Sequence, residues 1–314
     1  MILVAGATGF VGAHLVKRLA ADERLTVRVL LRPGTDTTKL PKSVRLHAML
    51  GPIGDVDSLL AAMDGVHTVF HLIGTENRGR HARLDEVDVL AARNMVAAAR
   101  AARVGHIVYV SRAGADKASA FPVLRAKGEI ESLIRSSGVS YTIFRSSVLF
   151  GDGDAFGDRI AMLLRAFPFY LVPGEAETAF QPLWVEDLVT CLAMSLEHLD
   201  LIDQAVEVGG PEILSYRRVV MRVMHAMGIS RPLVSLPLLW TRSLAWFFDG
   251  LFARWPISML WTDMLSTPQT AELGNIERLF GFRPAAFDVG LIDKYMQRRR
   301  YLLDFVKFVL TTRW

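Results

Sequence analysis

The sequence contains a single cysteine, Cys191, among 314 residues. One thiol excludes an internal disulfide and any cysteine-cluster metal site. Its expected place is a buried apolar position in a reducing compartment. No uninterrupted apolar run reaches the roughly 18 residues that a membrane-spanning helix needs. The first apolar run is too short for a signal peptide and leads into glycines, so the expected location is cytoplasmic. Charge of one sign is scarce: 36 Lys and Arg face 32 Asp and Glu, for a net charge of +4. Read along the chain, that charge looks spread out, which argues against nucleic-acid binding. Internal repeats and low-complexity linkers are absent. Asp152 and Asp154 sit in a glycine-rich turn, but no calcium-ligand series follows them, so no metal site is assigned. What the chain does have is apolar bulk, 51% of its residues, enough for one large or two modest domains.

The first twelve residues organise the rest. Residues 2–5 form a short apolar run that reads as a buried strand. Gly6, Gly9 and Gly12 follow, with Ala7, Thr8, Phe10 and Val11 between them. Leu15, Val16 and Leu19 then fall on one side of a helix and Lys17 and Arg18 on the other. A strand, a G-x-x-G-x-x-G turn and a helix make the context of a dinucleotide phosphate loop. Gly6 permits the tight turn, Gly9 lets backbone approach a pyrophosphate, and Gly12 lets helix and strand pack. The first N–H groups of the helix attract the anion.

Residues 26–31 read as the second strand, ending at Arg32. At this place a carboxylate would bind the 2′-hydroxyl of an adenosine ribose, whereas a guanidinium suits a 2′-phosphate. Arg32 therefore points to NADP(H) over NAD(H), with Lys39 and Lys42 as nearby cations. A third strand spans 44–49. Asp55, followed by Val56, has two readings of equal weight, an adenine contact or the cap of the next helix. A fourth strand ends at Leu72-Ile73-Gly74, which join the expected cofactor set. His71 in that strand has two readings, catalytic base or structural core residue, and the second is the commoner. A helix over 85–103 and strands over 107–111 and 140–146 continue the alternation. The carboxyl end of the last, Arg145-Ser146-Ser147, is expected on the nicotinamide side, because open α/β sheets bind ligands at strand carboxyl ends. The alternation predicts an α/β fold, a Rossmann-type doubly wound parallel sheet.

Several stretches together resemble the short-chain dehydrogenase/reductase superfamily in its extended and atypical branch. They are Gly6-Ala-Thr-Gly-Phe-Val-Gly12, Gly54-Asp-Val56, Val108-Tyr-Val-Ser111, Leu124-Arg-Ala-Lys127-Gly-Glu-Ile-Glu131, Phe144-Arg-Ser-Ser-Val-Leu-Phe-Gly151, Gln181-Pro-Leu-Trp-Val-Glu-Asp187 and Glu207-Val-Gly-Gly-Pro211. The chain is most similar to the group typified by the nucleotide-binding accessory subunit of respiratory complex I and its bacterial relatives. Gly209-Gly-Pro-Glu212, Ser215-Tyr216, Leu236-Pro237 and Leu279-Phe-Gly-Phe-Arg-Pro284 carry that narrower match.

The resemblance implies a catalytic serine, and a tyrosine four residues before a lysine. Ser111 and Lys127 stand at the first and last of these, and Val123 stands where the tyrosine belongs. Losing a general acid typically costs on the order of 10²–10⁴ in rate. The implied function is therefore NADP(H) binding without ordinary carbonyl reduction. Lys127 would hold the ribose, and the cofactor would be structural or redox-sensing in the support or assembly of a membrane-associated, respiratory-type complex. The alternative is an NAD(P)H-dependent oxidoreductase or isomerase acting on a hydrophobic substrate such as a quinone or isoprenoid. Enzymatic activity stays open between the two.

Residues 1–208 are expected to form the nucleotide-binding core, with part of a substrate lobe from about 151–180. Residues 209–314 are expected to form a smaller lobe of apolar helices. One helix is expected over 159–172. Another, over 238–252, carries Arg242 and Asp249 on one face of an otherwise apolar surface. A third, over 301–310, has a narrow polar stripe of Arg300, Asp304, Lys307 and Thr311. The basic run Arg298-Arg299-Arg300 precedes it and Arg313-Trp314 ends the chain. Such helices bury their apolar faces in their own lobe or a twin subunit, or dock peripherally on an anionic membrane surface or membrane-protein complex.

Overall fold

The computed structural model describes residues 1–38, 40–252, 254–296 and 300–310. Lys39, Arg298, Arg299, Thr311 and Arg313-Trp314, named above, lie outside the described residues. The chain divides into two compact units. One comprises residues 1–75, 83–146 and 185–208, and the other residues 76–82, 147–184 and 209–314.

In the first unit, strands β1 (Ile2–Ala5), β2 (Val27–Leu31), β3 (Leu46–Leu50), β4 (Thr68–His71), β5 (His106–Arg112), β6 (Ser140–Ser146) and β7 (Gln204–Val208) form one parallel sheet. Its order is β7-β6-β5-β4-β1-β2-β3. Helices α1 (Phe10–Ala21), α2 (Val56–Ala62), α3 (Leu90–Ala101), α4 (Pro122–Arg135) and α5 (Val185–Met194) accompany it. Leu3, Ala5, Val69, Ile107, Tyr109 and Ile143 share a core with α2, α3 and α4 residues such as Leu59, Met95 and Ile130. All four residues of β1, and all four of β4, are buried, which is why these strands read as unbroken apolar runs rather than alternating ones. Strand order reverses at β1, which pairs β2 on one side and β4 on the other. In such sheets the crevice at the reversal is where ligands bind. Cys191 is buried in α5. The helix expected over 85–103 opens with a wide π-type turn, Leu84–Val89, before α3 begins.

The second unit has its own core, in which Phe150, Phe156, Phe180, Tyr216, Trp261 and Phe287 meet. The helix expected over 159–172 is instead Ala155–Ala166, followed by a strand, Tyr170–Pro173, that pairs in parallel with Leu233–Leu236. The cause is Pro168, which cannot continue a helix and forces the preceding residue into extended geometry. Asp154 caps the shortened helix by accepting from the N–H groups of Gly157 and Asp158, and also from Gly151 at 2.8 Å. Among the described residues no helix is long and apolar enough to cross a membrane.

The helix expected over 238–252 forms as Leu238–Leu251, but its polar stripe faces inward. Thr241, Ala245 and Asp249 are its buried residues. Arg242 pairs with Asp263 at 3.3 Å, and Asp249 accepts from the Met259 N–H at 3.4 Å. The stripe has protein partners to satisfy it, so the aromatic side of the helix is left outward.

Candidate functional site

The glycine loop connects β1 to α1 at the reversal of strand order. Gly6 has φ +94°, a left-handed conformation, and a Cβ there would lie 2.7 Å from the Leu72 carbonyl. Only glycine suits both the backbone angle and this close passage of the segment after β4. A Cβ on Gly12 would lie 2.1 Å from the Gly6 carbonyl oxygen, so the first turn of α1 rests directly on the loop. Gly9 occupies the N-cap position of α1 with extended geometry and no side-chain cap, and no acidic residue stands in the first turn. The leading N–H groups of α1 are thus presented with neither a capping side chain nor a negative charge to compete with an anion.

Asp55 caps α2. It accepts from the N–H groups of Asp57 and Ser58 at the start of α2, and from the Ser58 hydroxyl. The Ser58 hydroxyl bond, then the backbone N–H groups, hold its carboxyl below the usual range. Val56 begins α2 and is exposed. Arg32, the first residue past β2, is exposed, and its guanidinium makes no hydrogen bond or ion pair among the described residues. Leu72 and Ile73 are half-buried past β4, and Gly74 is exposed.

Lys127 reaches toward the same strand end from α4. Its ammonium lies 5.4 Å from the centre of the Tyr109 ring, and a Cβ on Gly74 would come within 3.9 Å of its Nζ. Beneath it, Tyr109 stacks on His71 with ring centres 5.6 Å apart. Both of these rings are fully buried. His71 is a core residue: neither ring nitrogen has a hydrogen-bond partner among the described residues. Burial, and then the Lys127 charge, push its pKa down from 6.5 to about 3. Because the folded value lies below the unfolded one, His71 stays neutral in the fold while an unfolded chain takes up a proton. Its contribution to stability is whole above pH 6.5 and is lost as pH falls toward 3, with a slope approaching ~1.4 kcal/mol per pH unit. Urea midpoints should therefore drop between pH 7 and 5.5, and His71→Phe should flatten that drop. An unchanged slope in the variant would show that other groups carry the acid sensitivity.

The nicotinamide-side residues have partners that sequence reading did not assign. Ser111 donates its hydroxyl proton to Glu131 at 2.6 Å. Arg145 grips the same carboxylate through Nε at 3.0 Å and Nη2 at 2.7 Å. This bond raises the Arg145 pKa further. The Glu131 side chain is only 3% exposed. Its signal was an acidic residue four positions after Lys127, inside the buried stripe of Val123, Ile130 and Ile134. A hydroxyl has one proton, so Ser111 as placed cannot donate to a substrate carbonyl. Val123 is buried near the start of α4 and has no proton to offer. Ser146 is buried at the end of β6, where its carbonyl accepts from the Ala113 N–H at 2.9 Å. Ser147 belongs to the second unit, where its hydroxyl donates to the Gln181 carbonyl. A second unassigned carboxylate, Asp88, is buried and accepts from the Thr75 N–H at 2.9 Å and hydroxyl at 2.8 Å.

An uncapped helix behind a glycine loop presents backbone N–H groups to an anion, and residues 6–163 match the family described as NAD(P)H-binding. The chain belongs to the NAD(P)H-binding family. This NAD(P)H-binding chain is 26% identical over 286 residues to the mitochondrial NADH dehydrogenase (ubiquinone) 1 alpha subcomplex subunit 9 of Arabidopsis thaliana, covering 88% of the chain and 68% of that protein. It is 32% identical over 144 residues to the photosystem II assembly factor Ycf39 of Cyanophora paradoxa, covering 46% of the chain and 44% of that protein. In fold it is similar to an NADPH-dependent quinone oxidoreductase of Escherichia coli solved with NADPH. The TM-score is 0.73 and the identity 18%, covering 95% of the chain and 99% of the other.

Proposed function

We propose that this NAD(P)H-binding chain holds NADP(H) as a structural or redox-sensing group and serves the support or assembly of a membrane-associated complex. The observation that carries this reading is the pairing of Ser111 with Glu131, together with Val123 at the tyrosine position and a loop whose glycines are all in place. The chain keeps what grips a dinucleotide and lacks what hands a proton to a carbonyl. Gly6, Gly9 and Gly12 seat the pyrophosphate, with Ala7, Thr8, Phe10 and Val11 completing the loop. Arg32 receives the 2′-phosphate. Lys127 holds the ribose, and Leu72, Ile73 and Gly74 border the nucleotide. Arg145 contributes by fixing Glu131. The names of two relatives, a subunit of NADH dehydrogenase and an assembly factor, support a role within a larger complex.

The test is a titration of cofactor-stripped protein with NADPH and NADH, followed by nicotinamide fluorescence. Charge-assisted hydrogen bonds contribute about 1.5–3 kcal/mol, so Arg32→Asp should weaken NADPH about 10- to 100-fold. NADH affinity should change little. Equal affinity for both nucleotides in the unaltered protein would remove the role given to Arg32.

A second reading, reduction of a quinone-type acceptor, is favoured by the Lys127 ammonium beside the strand end. Such an acceptor takes its proton from water and needs no tyrosine. Single-turnover oxidation of bound NADPH by a soluble quinone separates the readings: oxidation supports the enzyme, and inertness supports the structural cofactor.

A further inference from the structure

The helix Leu238–Leu251 of the second unit is apolar on two sides. Its inner side borders a cavity of about 260 Å³, walled mainly by Leu163, Phe167, Phe169, Leu244, Phe248 and Trp255. Two side-chain hydroxyls reach this lining, and both are engaged. Thr241 donates to the Leu238 carbonyl at 2.9 Å, and Tyr170 shares a 2.7 Å hydrogen bond with Tyr216. Apart from the Trp255 indole N–H the remaining lining side chains are hydrocarbon, so a polar guest would lose most of its hydration without replacement. The space exceeds the ~150 Å³ of an apolar cavity that takes up benzene. Phe169, 41% exposed, brings the lining to the surface.

The outer side of the same helix exposes Leu239, Trp240, Trp246, Phe247 and Leu251. Trp255 stacks on Phe248 at 4.5 Å and meets Phe305 edge-on at 5.8 Å. These rings tie in the helix Tyr301–Leu310, which exposes Leu302, Leu303, Val306 and Leu310. Apolar surface on this scale marks an interaction site. Its charge surroundings say with what. In sequence, residues 289–314 hold six basic residues, Lys294, Arg298, Arg299, Arg300, Lys307 and Arg313, and two acidic ones, Asp293 and Asp304, for a net charge of +4. Tryptophans on an apolar helix face, in a chain whose last stretch is net basic, suit the headgroup level of an anionic bilayer.

We infer that the cavity takes one hydrocarbon chain of a lipid, drawn from an anionic membrane surface against which the helix Leu238–Leu251 lies. Lipid on the outer face and a lipid chain in the cavity give apolar surroundings to the two apolar sides of this helix, while its polar stripe keeps its protein partners. A prenyl chain has the same chemistry, so the source must be tested as well as the site.

The test uses full-length protein and vesicles of phosphatidylcholine and phosphatidylglycerol with acyl chains brominated at mid-chain, which quench nearby tryptophan. Trp240→Phe with Trp246→Phe removes the exposed indoles among the described residues, and Trp314→Phe is added so that the chain end contributes no signal. This variant should still float with the vesicles and still be quenched, and adding Trp255→Phe should remove most of that quenching. Ala245→Phe, which fills the cavity, should also lose the Trp255 quenching while flotation persists. Leu244→Trp in a protein lacking Trp255 gives a second filling variant, read by whether 12-bromododecanoate added from solution still quenches it. Failure to float with anionic vesicles overturns the membrane source. Quenching untouched by Trp255→Phe overturns the cavity site. A prenylated quinone extracted from the purified protein in place of lipid overturns the lipid source.

Discussion

Replacing Gly12 with alanine should abolish measurable dinucleotide binding and lower stability by about 1–3 kcal/mol. The added methyl would sit 2.1 Å from the Gly6 carbonyl oxygen and 2.9 Å from the Ala7 Cα. Both are backbone atoms that no rotamer change can clear. Either α1 lifts away from the sheet or the loop shifts, and each moves the helix N-terminus from where it meets the phosphates. Calorimetric titration with NADPH, beside a urea melt, reads both effects. Gly34→Ala is the control, since nothing lies within 4 Å of a Cβ there, although its positive φ carries a small strain of its own. Binding within threefold of the unaltered protein would mean that the loop does not seat the pyrophosphate.

The second large effect belongs to Glu131. Glu131→Ala should destabilise the first unit by about 2–3 kcal/mol. Removing one partner of a wholly buried ion pair costs about 3–5 kcal/mol, and Arg145 is 29% exposed, so water recovers part of the loss. The variant also strands the buried Ser111 hydroxyl. Glu131→Gln keeps an oxygen for Ser111 and should fall between the two. Arg145→Met together with Glu131→Leu should recover most of the lost stability, because the uncompensated charge is gone. Urea denaturation of the four proteins decides the point. With Arg145→Met and Glu131→Leu also measured singly, a double-variant loss equal to the sum of theirs would show that Arg145 and Glu131 act independently.

The glycine loop was legible because it is a backbone device: close approach and a positive φ leave few residues that work, and both conditions hold at Gly6. Strand β6 was legible end to end, since its β-branched and aromatic run is bounded by turn residues. Glu131 was not, because a carboxylate on a helix announces solvent, and only the arrival of Arg145 and Ser111 from two different strands makes its burial tolerable. The over-long helix after Asp154 came from weighting apolar spacing above Pro168. The orientation of Leu238–Leu251 was hidden for a related reason. Burial of apolar residues is the usual rule, and here Asp263 and the Met259 N–H held the polar stripe inward against it.

The first unit is assembled from three separate lengths of chain, and this orders events during synthesis. Strand β6 ends at Ser146, but its neighbour β7 does not begin until Gln204. A ribosome working at about 5–20 residues per second leaves β6 as an open sheet edge for roughly 3–10 s. Unpaired edges are templates for pairing with other chains. The nascent protein therefore passes through an interval in which the seven-residue strand β6 stands as the sheet's edge, until residues from beyond the second unit's insertion return and leave the shorter β7 there instead.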